Sequence, residues 1–294
     1  MEWMKSTLKQ ILPLHPQEDI ISIKEVRGGD IGRSYSVATQ ERQWFIKYRT
    51  DLPGIVFERE AEGLQLLRET CAVAVPETYY AGEIPGRDGG MIVLEWIKTG
   101  LPRQTTEEAL GRGIAELHRT QSLGGRFGLH NDNYIGLLPQ PNSWCETWRA
   151  FYAERRLFPM IQLAEKRGRL STKRKKQLMR LTESLDRWIP DKTEPSLLHG
   201  DLWHGNWMAS EDGQPYLIDP AVFYGDREYE MAFTELFGGF SSLFYAAYKE
   251  AHPLSPDYAD RRPLYQLYYL LVHLILFGES YGSSVDRVLV RYVG

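Results

Sequence analysis

The stretch Leu198-His199-Gly200-Asp201-Leu202-Trp203-His204-Gly205-Asn206, followed by Ile218-Asp219-Pro220, decides how this chain is read. It has the form H-x-D-L-x-x-x-N with a second Asp shortly after. A loop of that spacing serves phosphoryl transfer, in which one Asp orients or deprotonates a hydroxyl while the Asn and the later Asp hold magnesium. Asp201 is the candidate base for an acceptor hydroxyl held in line with a γ-phosphate. Asn206, through its amide oxygen, and Asp219, through its carboxylate, are the candidate Mg²⁺ ligands, because hard oxygen donors suit that ion. Two surface turns that happen to contain Asp and Asn would be the bland explanation. The joint match of His199, Asp201, Asn206 and Asp219 speaks against it.

His199 is read as a backbone brace rather than a chemical group. Gly200 stands where the motif of a protein kinase has Arg, and no Ala-Pro-Glu segment follows Asp219. Both departures argue against a protein kinase with a phosphorylation switch.

Upstream, Trp44-Phe45-Ile46-Lys47-Tyr48 is similar to the V-A-I-K strand of kinases, which makes Lys47 the candidate phosphate-binding lysine. A lysine in so apolar a strand is costly unless paired. Glu60 is the expected partner, with Glu58 and Glu62 as neighbouring alternatives. Gly28-Gly29-Asp30-Ile31-Gly32 precedes Lys47; Gly28, Gly29 and Gly32 would let backbone N–H groups approach phosphates, and a plain hairpin turn fits the same residues. Val93-Leu94-Glu95-Trp96-Ile97 ends the apolar strands, where the backbone at Glu95 and Ile97 would meet adenine as a kinase hinge does.

Around these motifs the pattern changes once. Residues 20–23, 34–39, 43–48 and 91–97 are β-branched and aromatic, interrupted by one helical stretch at 57–68. A short amphipathic helix is expected at 3–13. Beyond Leu101-Pro102 the spacing predicts helices at 105–119, 143–167, 171–189, 227–250 and 263–281, with strand-like pieces at 196–199 and 215–218. The expected architecture is α+β and two-lobed like a protein kinase: a small β-rich nucleotide-binding lobe over 1–97, and a larger helical lobe over 98–294 carrying the catalytic loop and acceptor site.

A net charge of -4 argues against bulk electrostatic binding to nucleic acid, and the basic cluster from Arg167 to Lys176 reads as a solvated helix turn. Cys71 and Cys145 make neither a disulfide framework nor a metal-ligand spacing. His118 is read as a helix-end packing residue. The charged N-terminus is no signal peptide, and the apolar run 267–277 is too short for a bilayer. A cytoplasmic protein with no membrane or nucleic-acid partner is expected.

The motif block carries a narrower resemblance. Residues Ser196 to Asn206, then Ile218-Asp219-Pro220-Ala221 and Tyr224-Gly225-Asp226-Arg227-Glu228, closely resemble the fructosamine kinase (ketosamine-3-kinase) family. Phe57 to Leu64, Ile135 to Asn142, Phe151 to Arg156 and Leu236 to Phe240 look like further parts of it. The resemblance implies an aminoglycoside-phosphotransferase-like kinase fold with ATP and Mg²⁺. It implies phosphorylation of the 3-hydroxyl of a ketosamine, a ribulosamine or fructosamine, either a small molecule or a glycated protein lysine. The 3-phosphate then eliminates and returns the amine. By the same resemblance Asp201 is the base, Asn206 and Asp219 hold the metal, and Lys47 with Glu60 orients the nucleotide. Trp203 either presents an aromatic face to the cationic amine or packs in the core. Asp226 either pairs with that amine or braces its loop through Arg227. His204, where the family commonly has Ser, either alters acceptor choice or packs at the mouth. An aminoglycoside, choline or other small-alcohol kinase, and a nucleotide-binding pseudokinase, are the competing readings.

Overall fold

The computed structural model describes residues 2–12, 14–15, 18–26, 33–190 and 192–294. The chain packs as two compact units, one formed by residues 1–106 with 206–220, the other by 107–205 with 221–294. The first unit therefore runs past Ile97 and takes in the segment carrying Asn206 and Asp219, a division that a single boundary after residue 97 does not draw. Gly28, Gly29, Asp30 and Gly32 lie outside the described residues.

The first unit is built on five antiparallel strands: β1 (Ser22–Val26), β2 (Arg33–Ala38), β3 (Gln43–Arg49), β4 (Thr78–Glu83) and β5 (Gly90–Glu95), in the order β1-β2-β3-β5-β4. The period of two sorts β3. Trp44 and Ile46 are buried on the face that packs with Met4 and Leu8 of helix α1 (Glu2–Ile11). Phe45 and Lys47 point the other way, towards helix α2 (Gly54–Glu69). The start of α2 sits hard against the sheet. Its Gly54 N–H donates to the Glu83 carboxylate at 2.8 Å, satisfying a donor that has no partner within the helix. Strand β4 was not anticipated: Pro76 and Gly82 punctuate it, and its pairing with β5 is irregular between Thr78 and Tyr80.

The hairpin Trp207–Ala209 with Pro215–Leu217 completes this unit. Leu217 N–H donates to Ala74 O, and Gly100 N–H donates to Ala209 O, so the hairpin is stitched to the chain that leaves β5.

The second unit is mainly helical: α3 (Gln104–Leu117), α4 (Trp148–Phe151), a π turn (Tyr152–Leu157), α5 (Phe158–Lys166), α6 (Thr172–Glu183), α7 (Arg227–Thr234), α8 (Ser242–Ala251), α9 (Tyr258–Phe277) and α10 (Gly282–Val293). Most of α9 is buried, with Tyr265, Tyr268 and Tyr269 fully enclosed. The single helix expected at 227–250 is two, because Gly238 and Gly239 both take positive φ (72° and 96°) and Ser241 caps the next helix. The helix expected at 143–167 starts only at Trp148, where Thr147 accepts the N–H of Ala150. Helix α10 was not anticipated. Short strands Ser196–Leu198 and Phe223–Gly225 pair antiparallel and bracket the motif block. Among the described residues, no helix is long and apolar enough to cross a membrane.

Candidate active site

Lys47 places its Nζ 2.8 Å from Glu60 and 2.8 Å from Asp219. All three belong to the first unit, and the lysine side chain is only 6% exposed. Sequence left Glu58, Glu60 and Glu62 as candidates; the geometry selects Glu60. Burial pulls Lys47 down, but the carboxylates of Asp219 and Glu60 outweigh it and hold the lysine above its ordinary value. Burial, helped by the like charge of Asp219, pushes Glu60 up to about 7 against the pull of Lys47. The cluster thus holds one cation between two acids, which already match its charge.

Asn206 and Asp219 reach this unit from the two ends of the short hairpin. Ile218 N–H donates to Asn206 O at 3.0 Å, which sets Asn206 opposite Ile218, one residue from Asp219. Asp219 has φ of 51°, in the left-handed region that Asp tolerates better than most residues. Its carboxylate is turned to Lys47 in that conformation. The donor set is one amide oxygen and one carboxylate. Among the described residues no group of three or more His, Cys, Asp or Glu is placed to hold a metal. A two-oxygen set suits Mg²⁺, which keeps several waters and takes phosphate oxygens. Residues Asn206 and Asp219 therefore fit such an ion.

The candidate catalytic loop lies in the second unit up to Gly205 and is fixed by its backbone. His199 N–H and Gly200 N–H donate to the two oxygens of Glu230, at 3.1 and 2.6 Å. Tyr269 O–H donates to Gly200 O at 2.8 Å. Ala221 N–H donates to His199 O, and Asp201 N–H reaches His199 Nδ1 at 3.3 Å. His199 is fully buried and works on the main chain. Gly200 has φ of 84°, and a Cβ there would stand 2.0 Å from Ala221 O, so no side chain fits where protein kinases carry Arg. Asp201 follows this locked pair.

Glu230 was missed by sequence reasoning. It is fully buried and also bonded to His118 Nε2 at 2.9 Å, whose Nδ1 meets Tyr248 O–H at 2.8 Å. His118 is thus a partner in a polar relay and more than packing. Burial raises the Glu230 carboxyl, but His118, His199 and the Gly200 amide outweigh it and hold it below the usual range. An acid followed directly by the apolar Met231, Ala232 and Phe233 was the signal available.

The remaining candidates separate. Trp203 is half-buried, with its ring 5.1 Å from that of His204. His204 is exposed, and Gly239 leans on it so closely that a Cβ at Gly239 would meet its Cβ at 2.5 Å. Asp226 is corrected: it caps α7 through Glu228 N–H at 2.9 Å, accepts Tyr265 O–H at 2.6 Å and is 6% exposed. Its oxygens are engaged inside the fold, and Arg227 turns instead to His252 O and Pro253 O. Glu95 ends β5, its N–H donating to Glu77 O and its carboxylate accepting Glu77 N–H, with Ile97 half-buried just beyond.

The family model for fructosamine kinase matches residues 4–293. The chain belongs to the fructosamine kinase family. As a member it is an ATP-dependent kinase that phosphorylates a hydroxyl. It is 40% identical to a "Probable ketoamine kinase" of Lactiplantibacillus plantarum over 99% of this chain and 100% of that protein. It is 36% identical to a chloroplastic protein-ribulosamine 3-kinase of Oryza sativa subsp. indica, over 93% of this chain and 79% of that one. A crystal structure of a "Putative fructosamine-3-kinase" from Haemophilus somnus superposes with a TM-score of 0.86 at 26% identity, covering 99% of this chain and 97% of that one. Aminoglycoside phosphotransferase APH(4)-Ia, at 17% identity and a TM-score of 0.65 over 100% and 99% of the two chains, shares the fold. The α+β, two-lobed kinase-like architecture expected from the sequence is the one observed.

Proposed function

We propose that this fructosamine kinase family member phosphorylates the 3-hydroxyl of ketosamines, ribulosamine or fructosamine, carried by a small amine or a protein lysine. In this reading Asp201 takes the proton of the acceptor hydroxyl as its oxygen meets the γ-phosphate. Lys47, oriented by Glu60, meets the nucleotide phosphates. Asn206 and Asp219 would hold Mg²⁺, which neutralises charge on the phosphate oxygens when bound. The first unit serves the nucleotide, and the second supplies the base and the acceptor surface, with Trp203 and His204 flanking the base along the chain.

The observation that carries the reading is Lys47 Nζ at 2.8 Å from both Glu60 and Asp219. These three side chains come from β3, α2 and the hairpin's far end, and a pseudokinase has no need to keep such a costly cluster intact. The relatives' names favour a ketosamine over the alcohol of an antibiotic or of choline.

The test is ATP turnover against ribuloselysine, fructoselysine, kanamycin and choline, with the phosphate located by NMR. Turnover with a ketosamine and phosphate on O3 is expected. Turnover with kanamycin or choline alone would overturn the substrate class, and phosphate on another oxygen would overturn the regiochemistry.

A further inference from the structure

We propose that Arg156 is a positioning residue for phosphoryl transfer, acting through Asn142 and Asn133 on the Val222 carbonyl, next to the Ala221 carbonyl that Gln140 meets and against which the candidate catalytic loop packs. This rests on Asp201 being the base.

Arg156 is fully buried in the second unit, within the π turn Tyr152–Leu157. Its hydrogen bonds go to neutral acceptors: NH1 to Pro141 O at 2.6 Å and Arg155 O at 3.0 Å, and NH2 to Asn142 Oδ1 at 2.7 Å. Its Nε is buried with no hydrogen-bond partner among the described residues. The guanidinium lies over Phe223 at 3.9 Å and Phe151 at 4.5 Å. Burying a guanidinium on neutral acceptors is expensive, and π turns are frequent at functional sites. Both features ask for a role that a Leu or Met could not fill.

The role follows from hydrogen-bond direction. A guanidinium can only donate, so Asn142 must turn Oδ1 to Arg156. That leaves Asn142 Nδ2 to donate to Asn133 Oδ1 at 2.8 Å. Asn133 Nδ2 then donates to Val222 O at 2.8 Å. Beside it, Tyr268 O–H donates to Gln140 Oε1 at 2.9 Å, and Gln140 Nε2 donates to Ala221 O at 3.1 Å and Asn133 Oδ1 at 2.8 Å. The orientation of each amide is set by the donor behind it: Arg156 sets Asn142, Tyr268 sets Gln140, and both amides donate to Asn133 Oδ1, which turns Asn133 Nδ2 to Val222 O.

The chain ends where it matters for Asp201. Ala221 donates its N–H to His199 O at 2.9 Å, and its carbonyl covers Gly200 so closely that no Cβ fits beneath it. His199 and Gly200 are the two residues before Asp201. Donors arriving at Ala221 O and Val222 O hold the surface on which the base's own backbone rests.

Asn142→Asp separates this role from packing. It keeps the shape and gives Arg156 a carboxylate, but an acid oxygen cannot donate to Asn133. The protein should melt at or above the native temperature and keep its KM for ATP, while kcat falls roughly 100-fold, the scale of a misplaced reacting group. Tyr268→Phe removes one hydroxyl, leaves the ring and frees Gln140 to turn; about a tenfold lower kcat is expected, the worth of one hydrogen bond. Arg156→Lys should retain more turnover than Arg156→Met, because a lysine still only donates. Asn142→Asp with kcat within about twofold of native would show that Arg156 merely packs, and Tyr268→Phe within the same range would show that the Gln140 branch does. If Asn142→Asp fails to fold, the Lys-to-Met comparison decides for Arg156. Asp201→Asn is assayed alongside: full turnover there would remove Asp201 as the base, an outcome distinct from failure of the amide chain.

Discussion

Glu230 accepts the backbone N–H of Gly200 at 2.6 Å, from a position with no exposed surface. A carboxylate is thus spent on the main chain at His199 and Gly200, just before the proposed base Asp201. The same carboxylate takes the His199 N–H and His118 Nε2, so its two oxygens serve three donors. Charge-assisted bonds of this kind are about twice as strong as neutral ones.

Glu230→Gln should therefore be severe. An amide can offer only one oxygen, and its NH₂ would face a backbone N–H. Breaking a buried charged network costs about 3 kcal/mol or more, and kcat should fall roughly 100-fold as Asp201 loses its bearing. The sign with pH also follows. The folded Glu230 sits below its ordinary value of 4.5, so its contribution is present above that pH and is lost as pH falls through the lower, folded value. Calorimetry between pH 3 and 8, on the order of the acid range where carboxylates titrate, should show a shallower acid loss for the glutamine variant; parallel curves would contradict the assignment.

Lys47→Met should weaken nucleotide binding most. The substitution keeps the stem's volume but leaves Glu60 and Asp219 as half-buried like charges without the Lys47 cation between them. Isothermal titration should show ATP affinity down by roughly tenfold or more, the worth of one charge-assisted contact. Ligand-free stability should change less than the loss of a cation suggests, because Glu60, already pushed up to about 7, takes a proton instead. Unchanged ATP affinity would remove Lys47 from the nucleotide's surroundings.

Much of this was legible in the sequence, for a physical reason. Lys47, Asp201, Asn206 and Asp219 are read by spacing because loop and strand geometry fix how far apart such groups stand along the chain. Helix α2 is read by its period, and strands β2, β3 and β5 by their β-branched and aromatic residues, which suit largely buried strands. What escaped was set by contacts distant in sequence. Glu230 and His118 are far apart in the chain and acquire meaning only when α3 and α7 meet. Strand β4 hides because its tyrosines sit among glycine, proline and glutamate. Asp226 misled because an acid after Tyr224-Gly225 looks the same whether it caps a helix or faces solvent.

Asp226→Asn tests that correction. Burial and the neighbouring Glu228 raise Asp226 from 3.8 to about 6. A raised folded value gives stability that is complete below about pH 3.8 and is lost as pH rises through about 6. Asparagine caps as well as aspartate and titrates nowhere in this range. At pH 8 the variant gains up to about 2–3 kcal/mol from the size of the shift, offset by the bond from Tyr265 O–H that its single amide oxygen cannot keep, about 1 kcal/mol. Its KM for ketosamine should be unchanged. A tenfold rise in that KM, about 1.4 kcal/mol, would return Asp226 to the acceptor's side.

Trp203→Leu addresses the acceptor itself. The indole is half-buried, two residues from Asp201, and the exposed His204 ring stands across its edge. An aromatic face placed there would hold the cationic amine of a ketosamine, an attraction of about 0.5–2 kcal/mol. Leucine keeps apolar contact and removes the face. The KM for ribuloselysine should therefore rise by roughly 3- to 30-fold, the same energy expressed as a ratio, with the KM for ATP unchanged. A neutral analogue, in which an ether oxygen replaces the amine, should lose nothing further in the variant. Equal losses for both acceptors would mean that Trp203 only packs, and a rise in the KM for ATP would mean that it supports the catalytic loop rather than the amine.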